Sequence, residues 1–288
     1  MTNSGSNNPV SALLLLLRFP LMRIRLSSLA RPAGLAALTA ALAACSNLTG
    51  SDVPANRYAA LNIQAKSTSA TAASGLATLI FFKGVNVSVP NSANQQTDQC
   101  IVSGIDTSTV LTTGMNNAGT GIAFSVAGRS TALTYNTTLS RYEATAGQVT
   151  YNSGESATIT IPDAGTVFPA TTLSLKLAEP LIHNAISLPT AGNDWLVRWN
   201  GTNDDVSSIQ VQLFYANNST VTKPNEQVYC VFKDDGTQTI PSQYLSTFLS
   251  SPNALRSMRL MRWRTNERVV DANTLLHLAS TIDTVITF

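Results

Sequence analysis

Histidine is nearly missing from this chain of 288 residues: there are two, His183 and His277. A lone histidine is more often a hydrogen-bonded structural residue than a catalyst. An HExxH metalloprotease helix is absent, and a copper centre built on several imidazoles lacks its ligands. Cysteine is scarce as well, with three residues and no CxxC or Cys/His cluster of the kind that holds zinc. The sequence also has no G-x-S-x-G nucleophile elbow and no phosphate-binding P-loop. These gaps lead to the expectation of a chain that is not an enzyme and carries no metal or cofactor.

Charge is the next shortage. Asp, Glu, Lys and Arg together make up 12% of the chain, which excludes a coiled coil, a polyelectrolyte and a disordered acidic tail. The formal net charge of +2 hides an asymmetry. Four of the 18 basic residues, Arg18, Arg23, Arg25 and Arg31, precede Cys45, and none of the 16 acidic ones does. From Cys45 onward 14 basic residues face 16 acids, a net charge of −2. A near-neutral body argues against nucleic-acid binding, which depends on neutralising phosphates. Aromatics, at 7%, are too few for the girdles of a transmembrane barrel. The terminal Phe288 therefore reads as a core residue of a last strand.

What the sequence does contain begins near its start. Arg23, Arg25 and Arg31 form a basic segment, and Ala33 to Ala44 an uncharged, mostly apolar one. That order is the n-region and h-region of an export signal, and the apolar part is too short for a bilayer span of about 20 residues. Residues 1–21 hold a second apolar burst broken by Arg18 and Pro20, and Met22 is the expected true start. Leu42-Ala43-Ala44-Cys45 resembles the lipobox of bacterial lipoproteins. The resemblance covers the leader alone. It implies cleavage before Cys45, diacylglycerol on its sulfur, an acyl chain on its new amine, and outer-membrane sorting permitted by Ser46. Two or more acyl chains anchor stably, at about 0.8 kcal/mol per buried methylene. Residues 1–44 are then signal peptide and 45–56 a polar tether.

The remainder reads as strands. Ile122, Phe124 and Val126 alternate, as do Ile159 and Ile161, and Leu173, Leu175 and Leu177, with Gly/Asn/Asp turn signals between. Two Pro residues in "AEPLIHNAISLP" suggest a boundary near Glu179. Beyond it Trp195, Val197 and Trp199 share a face. Ile209, Val211, Leu213 and Tyr215 alternate with outward Gln210 and Gln212. The stretch Asp194 to Tyr215 resembles strands B and C of fibronectin type III and immunoglobulin-like modules, with Trp199 in the strand-B position. "IPSQYLSTFL" departs from that pattern and predicts a short helix. The expected fold is all-β: two packed β-sandwich-like units, 57–179 and 180–288, after an N-terminal signal helix. The C-terminal unit is expected to be immunoglobulin-like.

Three groups of residues are candidates for chemistry. Cys100 and Cys230 remain after lipidation, an even pair in an oxidising compartment, and are either a disulfide or two buried thiols. Asp204-Asp205 and Asp234-Asp235-Gly236 are the densest acids. They lack EF-hand spacing and read as turn residues, the second as a hairpin turn. Arg256, Arg259, Arg262, Arg264 and Arg268 crowd one basic strand. They make either a patch for an anionic partner or an edge strand whose arginines meet the chain's own acids. The expected role is a non-catalytic binding or structural one at the cell envelope. Partners would be the membrane through lipid and an envelope protein or glycan. A carbohydrate-active enzyme or hydrolase, and an accessory subunit of an envelope complex, are the alternatives.

Overall fold

The computed structural model describes residues 55–87, 98–105, 115–202 and 206–288. Cys45, the leader, the tether up to Pro54, and Asp204-Asp205 lie outside the described residues. The protein is mostly β. Strands β1 (Ala55–Ser67), β2 (Ala72–Val87), β3 (Gln99–Gly104), β4 (Ala123–Val126), β5 (Arg129–Asn136), β6 (Arg141–Asn152), β7 (Ser156–Ile161) and β8 (Thr171–Lys176) precede Glu179. After it come β9 (Trp195–Arg198), β10 (Ser207–Tyr215), β11 (Glu226–Lys233), β12 (Thr237–Ile240), the helix α1 (Ser246–Ser250), β13 (Ser257–Asp271) and β14 (Thr274–Thr287).

Twelve strands form one mixed sheet in the order β3-β11-β10-β13-β14-β1-β2-β6-β5-β4-β7-β8, and β12 pairs with β9 in a second, small sheet. The large sheet runs through both halves of the chain. β3 pairs with β11 across the Glu179 region, and β1 lies parallel to β14 while antiparallel to β2. Alternation decides which side chains face inward. On β1 Ala59, Leu61, Ile63 and Ala65 are buried. Ile159 and Ile161 on β7, and Phe124 and Val126 on β4, join them. Phe81 packs edge-on against Tyr142 and Phe168 at ring-centroid separations of 5.6 and 5.4 Å.

The same hydrophobic core continues through β9, α1 and β10. Trp195, Val197 and Trp199 are buried, with Ile209, Val211 and Leu213 of β10. The predicted helix is present as a 3-10 turn, Ser242–Tyr244, followed by α1, and it buries Leu245 and Phe248. Phe248 meets Trp195 at 5.9 Å and Phe288 at 6.0 Å, so the terminal aromatic packs on the core. Each such buried side chain contributes roughly 1.5–3 kcal/mol.

The two edges of the large sheet are both held. At one end β3 is tied to β11 by the Cys100–Cys230 disulfide, and the two cysteines are directly opposite partners in the ladder. At the other end β8 approaches β13 and β14. Asn266 Nδ2 donates to Ser174 O at 2.7 Å and Arg268 Nη1 to Thr172 O at 2.7 Å. Just beyond β8, Ala178 N donates to Ser280 Oγ at 3.0 Å. Carbonyls that would otherwise be an open pairing template are thereby occupied.

Candidate functional site

The basic strand is β13, and it is central rather than an edge: β10 flanks it on one side and β14 on the other. Its alternation turns Met258, Leu260, Arg262 and Arg264 inward, and Arg262 and Arg264 are 0% and 1% exposed. A buried guanidinium needs a partner, and for Arg262 that partner is Asp234, just past β11. Arg262 Nε donates to Asp234 Oδ2 at 2.7 Å and Nη2 to Oδ1 at 2.9 Å. Its remaining donors reach Glu179 O, Pro180 O and Asn200 O. Asp234 also accepts from Trp199 Nε1 at 2.8 Å, Thr202 Oγ1 at 2.9 Å and Ser207 Oγ at 2.6 Å.

Burial by itself would raise the Asp234 carboxyl. The Arg262 hydrogen bonds and charge, helped by Ser207 and Thr202, outweigh it and hold the group below its ordinary value. The local backbone is shaped for this. Gly236 has φ +100°, and a Cβ on Gly201 would lie 2.6 Å from Gly236 N and the Asp235 carbonyl carbon. Only glycine allows so close an approach. The Asp234-Asp235-Gly236 turn therefore leads from β11 in the large sheet to β12 in the small one, rather than closing a hairpin.

The other arginines also have intramolecular contacts. Arg256 donates to Leu249 O at 2.9 Å and to Asn253 Oδ1, with its guanidinium 6.0 Å from the Phe248 ring centroid. Arg259 donates to Asp283 Oδ2 at 2.8 Å and Arg268 to Thr172 O. Arg264 is buried beneath the strand. Arg256 lies just before β13, and the four arginines on the strand do not share one exposed face. His183 Nδ1 lies 2.8 Å from Asn184 O, and His277 Nδ1 3.0 Å from Glu267 Oε1. Among the described residues no group of three or more His, Cys, Asp or Glu could hold a metal ion.

The opposite face of the same strands carries a shallow groove of about 410 Å³. Gln210 is its centre, opposite Val231 on β11 and Met261 on β13. Tyr229 and Trp263 stand on either side along the diagonals, and Thr281, Asn62 and His277 continue the lining across β14 and β1. Beyond His277 an aromatic strip extends through Tyr58, 6.5 Å from His277 and 6.0 Å from Phe82. Burial, reinforced by the nearby Glu267 charge, pushes the Tyr58 phenol up to about 12.

No family model, curated protein or solved structure matches this chain. What the arrangement can do must come from its own chemistry. The groove lining carries no Lys, Arg, Asp or Glu. Gln210 is 4% exposed. On the same face Gln212 and Gln227 each bury an unsatisfied amide oxygen. A buried polar group left unpaired costs about 1–3 kcal/mol, so this face holds unused hydrogen-bonding capacity between aromatic rings. Sequence reasoning turns Gln210 and Gln212 outward; they do lie on the face opposite Ile209 and Val211, but Gln210 is buried there, and the sequence does not unite them with Asn62 and Trp263.

Proposed function

We propose that this protein is a lipid-anchored cell-envelope protein with a non-catalytic binding role, and that the outer face of its large sheet is the binding surface. The observation that carries the binding role is the groove around Gln210, uncharged and bordered by Tyr229 and Trp263. The anchor rests on the lipobox at Leu42-Ala43-Ala44-Cys45 and its basic, apolar leader. The Cys100–Cys230 disulfide agrees with an oxidising compartment. Tethering at Cys45 would hold the sheet within a short reach of the membrane and raise its local concentration there. In this reading β9 and β12, together with β10, β11, β13 and the β3 strand that pairs with β11, act as an immunoglobulin-like C-terminal unit, and β1, β2 and β4–β8 form the second sandwich-like unit.

The test is membrane fractionation of Cys45→Ala against the unaltered chain. Release of the variant from membranes is the expected outcome. An unchanged distribution would remove the lipid anchor from the proposal.

A further inference from the structure

Resting on that binding role, we infer that the groove around Gln210 takes a neutral carbohydrate chain. The lining offers two kinds of surface in alternation. Tyr229, Trp263 and Met261 supply apolar faces, while Gln210, Asn62 and Thr281 supply amide and hydroxyl groups. A sugar ring presents C–H bonds on its faces and hydroxyls at its rim, which match both. An acyl chain would cover the Gln210 amide without bonding it, which is unfavourable. A peptide adding to a sheet needs an edge with unpaired backbone groups, and the strands under this groove are paired on both sides. The lining has no Lys, Arg, Asp or Glu, and the charged groups beside it are already engaged, Arg259 with Asp283 and Glu267 with His277, which disfavours an anionic or a cationic ligand there.

The register sets the length of ligand. Tyr229 is opposite Gln212 and Trp263 is opposite Ser208, on the strands flanking β10. Two strand spacings and four residues of rise separate them by about 16 Å. That span fits a short run of sugar rings better than a single one, with Gln210 bonding the hydroxyls between two stacking platforms. Gln210 is the distinctive element, a nearly buried amide in the middle of the lining.

The experiment uses the full chain carrying Cys45→Ala, so that no acyl chain competes for the groove. It is titrated with maltohexaose, cellohexaose, mannohexaose, chitohexaose and, as an acidic control, hexagalacturonate. Tryptophan fluorescence and calorimetry report binding. A neutral member should bind and shift the fluorescence. Trp263→Ala and Gln210→Leu should each weaken it by about tenfold or more, the loss of one good contact. The urea midpoint of each variant is measured beside its binding, so that weaker binding at an unchanged midpoint is not lost folding. The inference is overturned if no neutral hexasaccharide binds, if both variants bind normally, or if the acidic oligomer binds more tightly. It is equally overturned if the chain is a dimer that Trp263→Ala dissolves, which would make the groove a contact between copies. Membrane release of Cys45→Ala is read separately, so failure of the anchor and failure of sugar binding are distinct results.

Discussion

Replacing Asp234 with Ala removes the acceptor for Arg262 Nε and Nη2, Trp199 Nε1, Thr202 Oγ1 and Ser207 Oγ in one step. Both Asp234 and Arg262 side chains are 0% exposed, so water cannot readily replace the lost partner. Breaking a buried pair by deleting one member costs about 3–5 kcal/mol, because the remaining charge stays buried. Arg262 keeps its bonds to Glu179 O, Pro180 O and Asn200 O, which places the expected loss toward the lower end of that range. With a urea slope of about 2–3 kcal/mol/M, the unfolding midpoint should fall by about 1–2 M. Asp234→Asn retains the shape and part of the bonding, and should lose less. The double variant Asp234→Leu, Arg262→Met should be less destabilised than the sum of its singles by about 1.5–3 kcal/mol. A single Asp234→Ala variant within about 1 kcal/mol of the parent would refute the reasoning. The pH dependence carries the same sign. The folded carboxyl is depressed below its ordinary 3.8, so its stabilisation is present above that value and is lost as pH falls through the depressed one.

Two further expectations follow from the fold. Cys230→Ser opens a link between residues 130 apart in sequence and should lower stability by about 4–5 kcal/mol on loop-closure grounds, while in the parent neither Cys100 nor Cys230 should react with an alkylating agent before reduction. Tyr58, Tyr151 and Tyr215 are each raised by burial to about 12, with the Glu267 charge adding at Tyr58 and the Glu226 hydrogen bond at Tyr215. Phenolate absorbance should therefore show these three lagging behind any tyrosine that ionises near 10. Stability should be lost between pH 10 and about 12, because the fold favours their neutral forms, and full ionisation near 10 in the folded protein would contradict this.

Strand identity was legible where large and polar residues alternate. Trp195-Val197-Trp199 and Ile209-Val211-Leu213 both bury the expected faces. β1 gives a weaker signal because half of its inward positions, Ala59 and Ala65, are alanine and contrast little with their neighbours. Pairing order was not legible. The parallel contact of β1 with β14 and the placement of β3 beside β11 join segments far apart in sequence, and no local pattern encodes them. Alternation put Arg262 on the face of Met258 and Leu260, yet its burial depends on an aspartate 28 residues earlier. The groove was hidden for the same reason: Asn62 and Trp263 meet only through the ladder of β1, β14 and β13.

The placement of the arginines bears directly on how this sheet can recognise anything. A large sheet invites edge-to-edge association unless its edges are covered. Here side chains of β13 cover β8, while the disulfide fastens β3 to β11, the one described strand it pairs with. The guanidinium groups that made β13 look like a cationic surface are turned to carbonyls and carboxylates of the same molecule. Recognition by bulk positive charge loses its footing in that arrangement, and strand addition loses it at β8. What remains is the face itself, where aromatic rings and unpaired amides lie side by side in register. Such a surface discriminates by the spacing of hydroxyls against rings rather than by net charge. Its affinity should therefore change little with ionic strength, whereas an interaction carried by the arginines would weaken steeply as salt rises.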